Sequence, residues 1–455
     1  MRPPKTTPAS TWPFQPPAFH VMAKPRGSIC NLDCQYCFYL KKEKLYPGGS
    51  FRMSDELLEA YTRQTIEGQQ APEVTFAWQG GEPTLMGIEF FRKAIELQEK
   101  FRRPGMTLHN ALQTNGTLLD DAWGRFLHDH HFLVGISIDG PHALHDAFRQ
   151  DKGGHPTFDR VMRGIRVLQQ HQVEFNTLTC VHAANAGRGL EVYRFLRDEA
   201  GSRFMQFIPI VERDNAAGFQ QGAKITARSV SGPAFGSFLI DIFDEWVHHD
   251  VGRVFVQHFD VALAGWNGQP PGLCVHDETC GLAMALEFNG DLYACDHFVE
   301  PHRRLGNITD QPIAELLMRP EQYAFGQAKQ ALPVYCQRCE VRFICNGGCP
   351  KDRLLRAPGG EPGLNYLCGG YRAFFNYIDR PMKLMSALLA ARRAPAEVMP
   401  LLTGQLPLRE TPPGAPCPCG SGKPVEQCHR AAGGYVPPGH AAPPPSQARP
   451  ARKRH

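Results

Sequence analysis

Cys30, Cys34 and Cys37 fall within CNLDCQYC, and three thiolates so closely spaced cannot all point one way from a strand, so a loop must wrap around a common centre. A four-iron cluster held by three cysteines leaves one iron open to an exogenous ligand, and C-x3-C-x2-C spacing suits that use. A zinc knuckle short of a ligand, or chance clustering, is the plainer alternative. A second group begins with Cys274, Cys280 and Cys295, with nine residues between Cys280 and Gly290 and four between Gly290 and Cys295. It continues through Cys336, Cys339, Cys345 and Cys349, spaced C-x2-C-x5-C-x3-C, and closes with Cys368. Eight thiolates divide into two sets of four, which serves two iron–sulfur clusters or a pair of zinc ribbons equally well. The third group is Cys417, Cys419, Cys428 and His429 in PCPCGSGKPVEQCH. Three thiolates and an imidazole are the donor set of a closed tetrahedral zinc site, with a Cys417–Cys419 redox pair as the alternative. Cys180 belongs to none of the groups and reads as a buried core thiol.

These groups need a frame, and the sequence supplies one as repeated βα units. Strands are predicted at 19–24, 74–78, 107–113, 133–138, 174–180 and 204–210. Helices are predicted at 54–67, 88–102, 120–129, 157–171, 189–199 and 233–250, with Ser54 and Thr157 as N-caps and Pro233 in a first turn. From about 265 cysteines become dense and helical periodicity fades until about 370, after which 371–400 reads as helical again. The expected organisation is an α/β barrel domain over 19–264 and a cysteine-rich domain over 265–385. A helix end and linker follow over 386–415, then a small zinc motif over 416–430. The proline-rich leader 1–18 and the basic tail 431–455 lack the apolar content to order themselves.

Lys plus Arg number 49 and Asp plus Glu 45, so the 455-residue chain carries a net charge of only +4, part of it in the tail. A near-neutral body argues against a nucleic-acid binder or a membrane-surface protein. No run approaches the ~20 apolar residues of a membrane span. Six prolines among the first 17 residues are incompatible with a signal peptide. The expected location is the cytoplasm, where clustered cysteines serve as metal or redox ligands more often than as disulfides.

The triad, with Tyr36 directly before Cys37, resembles the signature of the radical S-adenosylmethionine (SAM) enzymes. That resemblance implies a partial (β/α)6 TIM-like barrel and a [4Fe–4S] cluster whose free iron chelates SAM, cleaved on reduction to a 5′-deoxyadenosyl radical. Gln79, Gly80, Gly81 and Glu82 of QGGEP, by themselves an ordinary turn, match the family's glycine-rich SAM segment. The match implies Glu82 as an acceptor for the SAM amine, while Ser137 and Arg149 match positions on the carboxylate side. The eight-cysteine pattern resembles the SPASM extension with its two auxiliary [4Fe–4S] clusters. By that resemblance Cys274, Cys280, Cys295 and Cys349 hold one cluster and Cys336, Cys339, Cys345 and Cys368 the other. The C-terminal group resembles the SEC-C motif, which binds zinc and mediates partner contacts.

WQGGEPTLMG, LQTNGTLLD, VGISIDGP, MQFIPIVER and YACDHFV further resemble the anaerobic sulfatase-maturating enzymes, over about residues 19–385. That family oxidises a Cys or Ser of an unfolded or nascent sulfatase polypeptide to Cα-formylglycine. The resemblance implies hydrogen abstraction from the substrate Cβ, proton removal by Asp296 beside Cys295, and a second electron leaving through an auxiliary cluster. A flavodoxin or ferredoxin would supply the reducing electron. The competing readings are a SPASM maturase forming thioether or carbon crosslinks, and a scaffold that retains clusters without chemistry. An intact triad and QGGEP count against the scaffold, and only about 18 residues precede the first strand, too few for a peptide-binding domain of the crosslinking type.

Overall fold

The computed structural model describes residues 16–215 and 218–429. Most of the predicted leader and the whole tail 431–455 lie outside the described residues. Seven parallel strands alternate with helices. β1 (His20–Lys24) leads to α1 (Asp55–Gly68), β2 (Glu73–Trp78) to α2 (Ile88–Phe101), and β3 (Thr107–Thr114) to α3 (Asp121–Asp129). β4 (Leu133–Ser137) is followed by α4 (His142–Asp146) and α5 (Phe158–Gln170), and β5 (Phe175–Val181) by α6 (Gly189–Arg194). β6 (Phe204–Pro209), α7 (Gly232–His249), β7 (Phe255–Val256) and α8 (Gln257–Trp266) complete the run. The six predicted βα units are all present; β7 and α8 lie after the last predicted helix, in a stretch up to about residue 265 for which the sequence predicts no element.

The helices form because each presents one apolar face to the sheet. In α2, for example, Phe90, Phe91, Ala94 and Leu97 are buried at helical spacing. Ser54 caps α1 as expected, its Oγ accepting from Leu57 N at 3.2 Å, and Pro233 sits in the first turn of α7 behind the cap Ser231. Thr157 holds the cap position of α5 without capping it. Asp146 Oδ1 accepts from the amides of Thr157 (2.7 Å) and Phe158 (3.1 Å), because a carboxylate is the stronger acceptor. The Thr157 hydroxyl is turned instead to Arg149 O at 2.9 Å.

One ten-stranded sheet continues across residue 265. Its order is β10-β9-β8-β1-β2-β3-β4-β5-β6-β7, where β8 (Ala283–Glu287), β9 (Asp291–Tyr293) and β10 (Arg304–Asn307) come from the cysteine-rich half. β8 runs parallel to β1 in a register from His20↔Ala283 to Lys24↔Glu287, while β9 and β10 add antiparallel. The first strand is thus interior to the sheet, and the segment after β9 is brought over its C-terminal end.

The predicted helix over 371–400 is in fact Cys368–Ala390, ended by left-handed Arg392 (φ +57°) with Arg393 N bonding back to Leu388 O at 2.8 Å; short turns follow over 395–401. This helix packs tightly on α7. A Cβ on Gly370 would lie 1.9 Å from Gly232 O, so glycine is required for the contact. No helix among the described residues is long and apolar enough to cross a membrane.

Candidate functional site

The C-terminal ends of β1 to β6 surround a cavity of about 280 Å³, the position at which barrel strands present their functional side chains. Cys30, Cys34, Cys37 and Tyr36 line it from the loop after β1. Backbone bonds from Asp33 N to Gln150 O (2.8 Å) and Gln35 N to Phe148 O (3.0 Å) fasten that loop to the segment after α4. Burial pushes the Cys30 thiol up to about 12 and raises Cys34 and Cys37 as well, so any metal taken up here would have to displace their protons. Beneath the loop, Tyr36 Oη donates to fully buried Asp139, which also accepts from Arg149 Nε at 2.9 Å and from Cys180 N at 2.9 Å. Burial opposes ionisation of Asp139, but the Arg149 guanidinium outweighs it and holds the carboxyl well below the usual range. Cys180 is therefore not a core thiol. It lines the cavity, 3.8 Å from Arg149 Nη2, because its strand ends there.

Gln79, Gly80, Gly81, Ser137 and Arg149 all line the cavity. The glycines meet a backbone need. Gly81 N donates to Gly27 O at 2.7 Å, and a Cβ on Gly81 would lie 2.0 Å from Ile29 O, so the QGGEP turn packs directly on the approach to Cys30. Glu82 is placed differently from the expectation. It is fully buried, and its two oxygens accept four hydrogen bonds, from Thr84 N, Thr84 Oγ1, Thr114 Oγ1 and Asn115 N, at 2.7 to 3.0 Å. Three of these donors go to Oε1 and one to Oε2, and Glu82 is not on the cavity wall, so it ties β2 to β3 from behind.

Asp296 faces the same cavity and is 19% exposed to it. Its Oδ1 pairs with Nζ of Lys24, a residue the sequence reading missed because a lone lysine ending a strand carries no motif. The Lys24 ammonium, 1% exposed, also donates to Gln79 Oε1 at 2.5 Å and lies 4.5 Å from the centroid of the Tyr39 ring. Burial works against the Asp296 anion, and Lys24 more than compensates, holding this carboxyl below its ordinary range. Asn115, also overlooked, donates to Cys30 Sγ (3.7 Å) and Asn31 Oδ1 (2.8 Å); its signal is LQTNGT at the end of β3.

Cys336, Cys339, Cys345 and Cys368 line one pocket, with Cys368 on the first turn of the C-terminal helix. The buried Lys329 ammonium donates to the backbone carbonyls of Cys274, Val275 and Asp277; burial lowers its pKa, and the charges of Cys280, Cys274 and Cys349 only partly offset that fall. Burial, reinforced by Cys349, drives the Cys295 thiol well up. The four thiols on one pocket are a donor set of the kind that holds an iron–sulfur cluster.

At the C-terminus Cys417, Cys419, Cys428 and His429 converge. Cys417 Sγ and Cys428 Sγ each lie 3.3 Å from His429 Nδ1, and Cys419 Sγ lies 3.6 Å from Cys428 Sγ. A tetrahedron with metal–sulfur bonds of about 2.3 Å has edges of roughly 3.7 Å, so the four atoms fit one zinc ion. The group is not remote from the barrel, as its sequence separation suggested. Cys417, Leu408 and Val425 are buried in the main core, and the His429 ring meets Tyr377 of the C-terminal helix edge-on at 5.1 Å.

Residues 25–196 match the Radical SAM superfamily, and residues 279–340 match an iron-sulfur cluster-binding domain, SPASM. A serine-type anaerobic sulfatase-maturating enzyme of Bacteroides thetaiotaomicron is 45% identical over 401 residues, covering 86% of this chain and 96% of that protein. A cysteine-type enzyme of Clostridium perfringens is 34% identical over 369 residues, covering 79% and 96%. The solved structure of anSMEcpe with bound AdoMet and Cp18Cys peptide is similar at a TM-score of 0.74 and 33% identity, covering 82% of this chain and 100% of that one.

Proposed function

The chain belongs to the anaerobic sulfatase-maturating enzyme family, and from that premise we propose that it oxidises a Cys or Ser of a sulfatase polypeptide to Cα-formylglycine by radical SAM chemistry. The observation that carries the assignment to this cavity is the joint placement of Asp296 and the Cys30, Cys34, Cys37 triad on its wall. In our reading the triad holds the SAM-binding cluster, and Gln79, Gly80, Gly81, Ser137, Arg149 and Tyr36 shape the SAM pocket. Glu82 supports that pocket from behind. SAM bound there would supply the radical chemistry, and clusters held by Cys274, Cys280, Cys295 and Cys349 and by Cys336, Cys339, Cys345 and Cys368 would supply a path for the second electron. Asp296, kept ionised by Lys24, accepts the thiol or hydroxyl proton of the substrate.

We assign zinc to Cys417, Cys419, Cys428 and His429 in a SEC-C-like module, open to a partner protein on its outer side. A flavodoxin or ferredoxin is the electron donor in this scheme. The cytoplasm is the compartment, a placement supported by fifteen unpaired cysteines. No feature of the cavity favours a crosslinking maturase.

The test is incubation of anaerobically reconstituted protein with SAM, reductant and peptides carrying C-x-P-x-R or S-x-P-x-R, followed by mass analysis. Conversion of either peptide to the aldehyde is the expected result. Deoxyadenosine production with both peptides unchanged would overturn the reading.

A further inference from the structure

The Lys24 ammonium has three N–H donors and three acceptors placed around it: Asp296 Oδ1, Gln79 Oε1 at 2.5 Å and Met22 Sδ at 3.3 Å. The Tyr39 ring covers it at 4.5 Å, and the side chain is 1% exposed. Lys24 lies on the wall of the cavity, but with its three donors taken by protein groups it has none left for a bound substrate. Its charge is spent on protein groups, chiefly on one oxygen of Asp296. The other oxygen, Oδ2, accepts no hydrogen bond among the described residues, and Asp296 lines the cavity shared with Cys30, Cys34 and Cys37.

We propose that Lys24 is a positioning residue for the oxidation: it clamps Asp296 through Oδ1, anchored from behind by Gln79, so that Oδ2 alone is presented to the substrate thiol or hydroxyl. The step served is a simple proton transfer. The substrate S–H or O–H bond breaks, the proton bonds to Asp296 Oδ2, and the electron pair stays on the substrate heteroatom. A carboxylate free to rotate would divide its time among orientations that do not meet that proton, and placement within hydrogen-bond reach is what makes a base effective. The clamp also follows from the fold. Lys24 ends β1, and the β1–β8 register carries the 296 segment over that strand end from 272 residues away.

The proposal rests on the reading of Asp296 as the base, and the variants are chosen to separate the two. Lys24→Met keeps length and apolar bulk but removes the clamp. Deoxyadenosine formation should stay within about threefold of the parent, while formylglycine per deoxyadenosine falls by roughly 10- to 100-fold. The peptide KM should change little, because the Lys24 donors are all taken by protein groups. If Lys24 acts only through Asp296, then Lys24→Met added to Asp296→Asn costs nothing beyond Asp296→Asn alone.

Peptide affinity of the SAM-loaded, unreduced protein and iron content are measured in every variant. Should Lys24→Met lose iron because it strands a buried carboxylate, the comparison of Asp296→Asn with the double variant decides, since neither carries that charge. A multiplicative loss in the double variant, or a parental product ratio in Lys24→Met, overturns the clamp. An unchanged ratio in Asp296→Asn overturns the base reading itself.

Discussion

Tyr377 Oη donates to Asp244 Oδ1 at 2.5 Å, and the other oxygen of that carboxyl accepts from Leu408 N at 2.9 Å. One buried side chain of α7 therefore holds both the C-terminal helix, whose first residue is Cys368, and the segment leading to the C-terminal Cys/His group. Burial pushes Asp244 up to about 7, against an ordinary value of 3.8. The folded state accordingly retains a proton that the unfolded chain releases, so stability falls as pH rises from about 4 to 7 and then levels off. The size is on the order of 4 kcal/mol. Asp244→Asn should flatten that decline, with thermal stability followed anaerobically from pH 5 to pH 8. Parallel curves for parent and variant would contradict it.

The buried seat of Cys417 and Val425 makes the C-terminal module part of the main core. Cys428→Ser should abolish zinc, measured by elemental analysis at one ion per chain in the parent, and lower the melting temperature by several degrees. Below that temperature, oxidation of a short peptide should remain within a few fold, because none of the module's ligands lines the central cavity. Unchanged melting with zinc lost would make the module a passive appendage.

Replacing Cys30, Cys34 and Cys37 together by Ala should leave about eight of about twelve irons and no SAM cleavage. Retention of the full iron complement would remove the triad from the cluster assignment.

Glu82→Gln exchanges a full acceptor for a group with two donors, set against the four donors around it. At least one contact must become repulsive, at a cost of about 1–3 kcal/mol. Melting temperature and SAM affinity should fall together, because the QGGEP turn lies directly on the approach to Cys30. A variant with weakened SAM binding and parental stability would restore Glu82 as a direct ligand of the SAM amine.

Asp296→Asn should preserve deoxyadenosine formation while formylglycine falls by roughly 10²- to 10⁴-fold, the range for losing a positioned base. Equal loss of both, with iron depleted, would instead mark damage at neighbouring Cys295.

Much of this was legible in the sequence because it depends on short-range spacing. Helix and strand periods repeat within a dozen residues, so all six predicted βα units stand where expected. C-x3-C-x2-C and C-x-C-x8-C-H each confine their ligands to one loop, and no long-range information is needed to see that they converge. Tertiary structure decided whatever depends on which faces meet. Glu82 and Ser137 look alike as polar residues at or just past strand ends, yet the donors of Thr84, Thr114 and Asn115 enclose the first while the second stays on the cavity wall. Lys24 acquires meaning only when β8 pairs with β1 and delivers Asp296 to it across 272 residues. The docking of the Cys/His module through Asp244, Tyr377 and Leu408 was equally out of sight, because its contacts join three separate segments through a buried carboxyl whose partners no local pattern encodes.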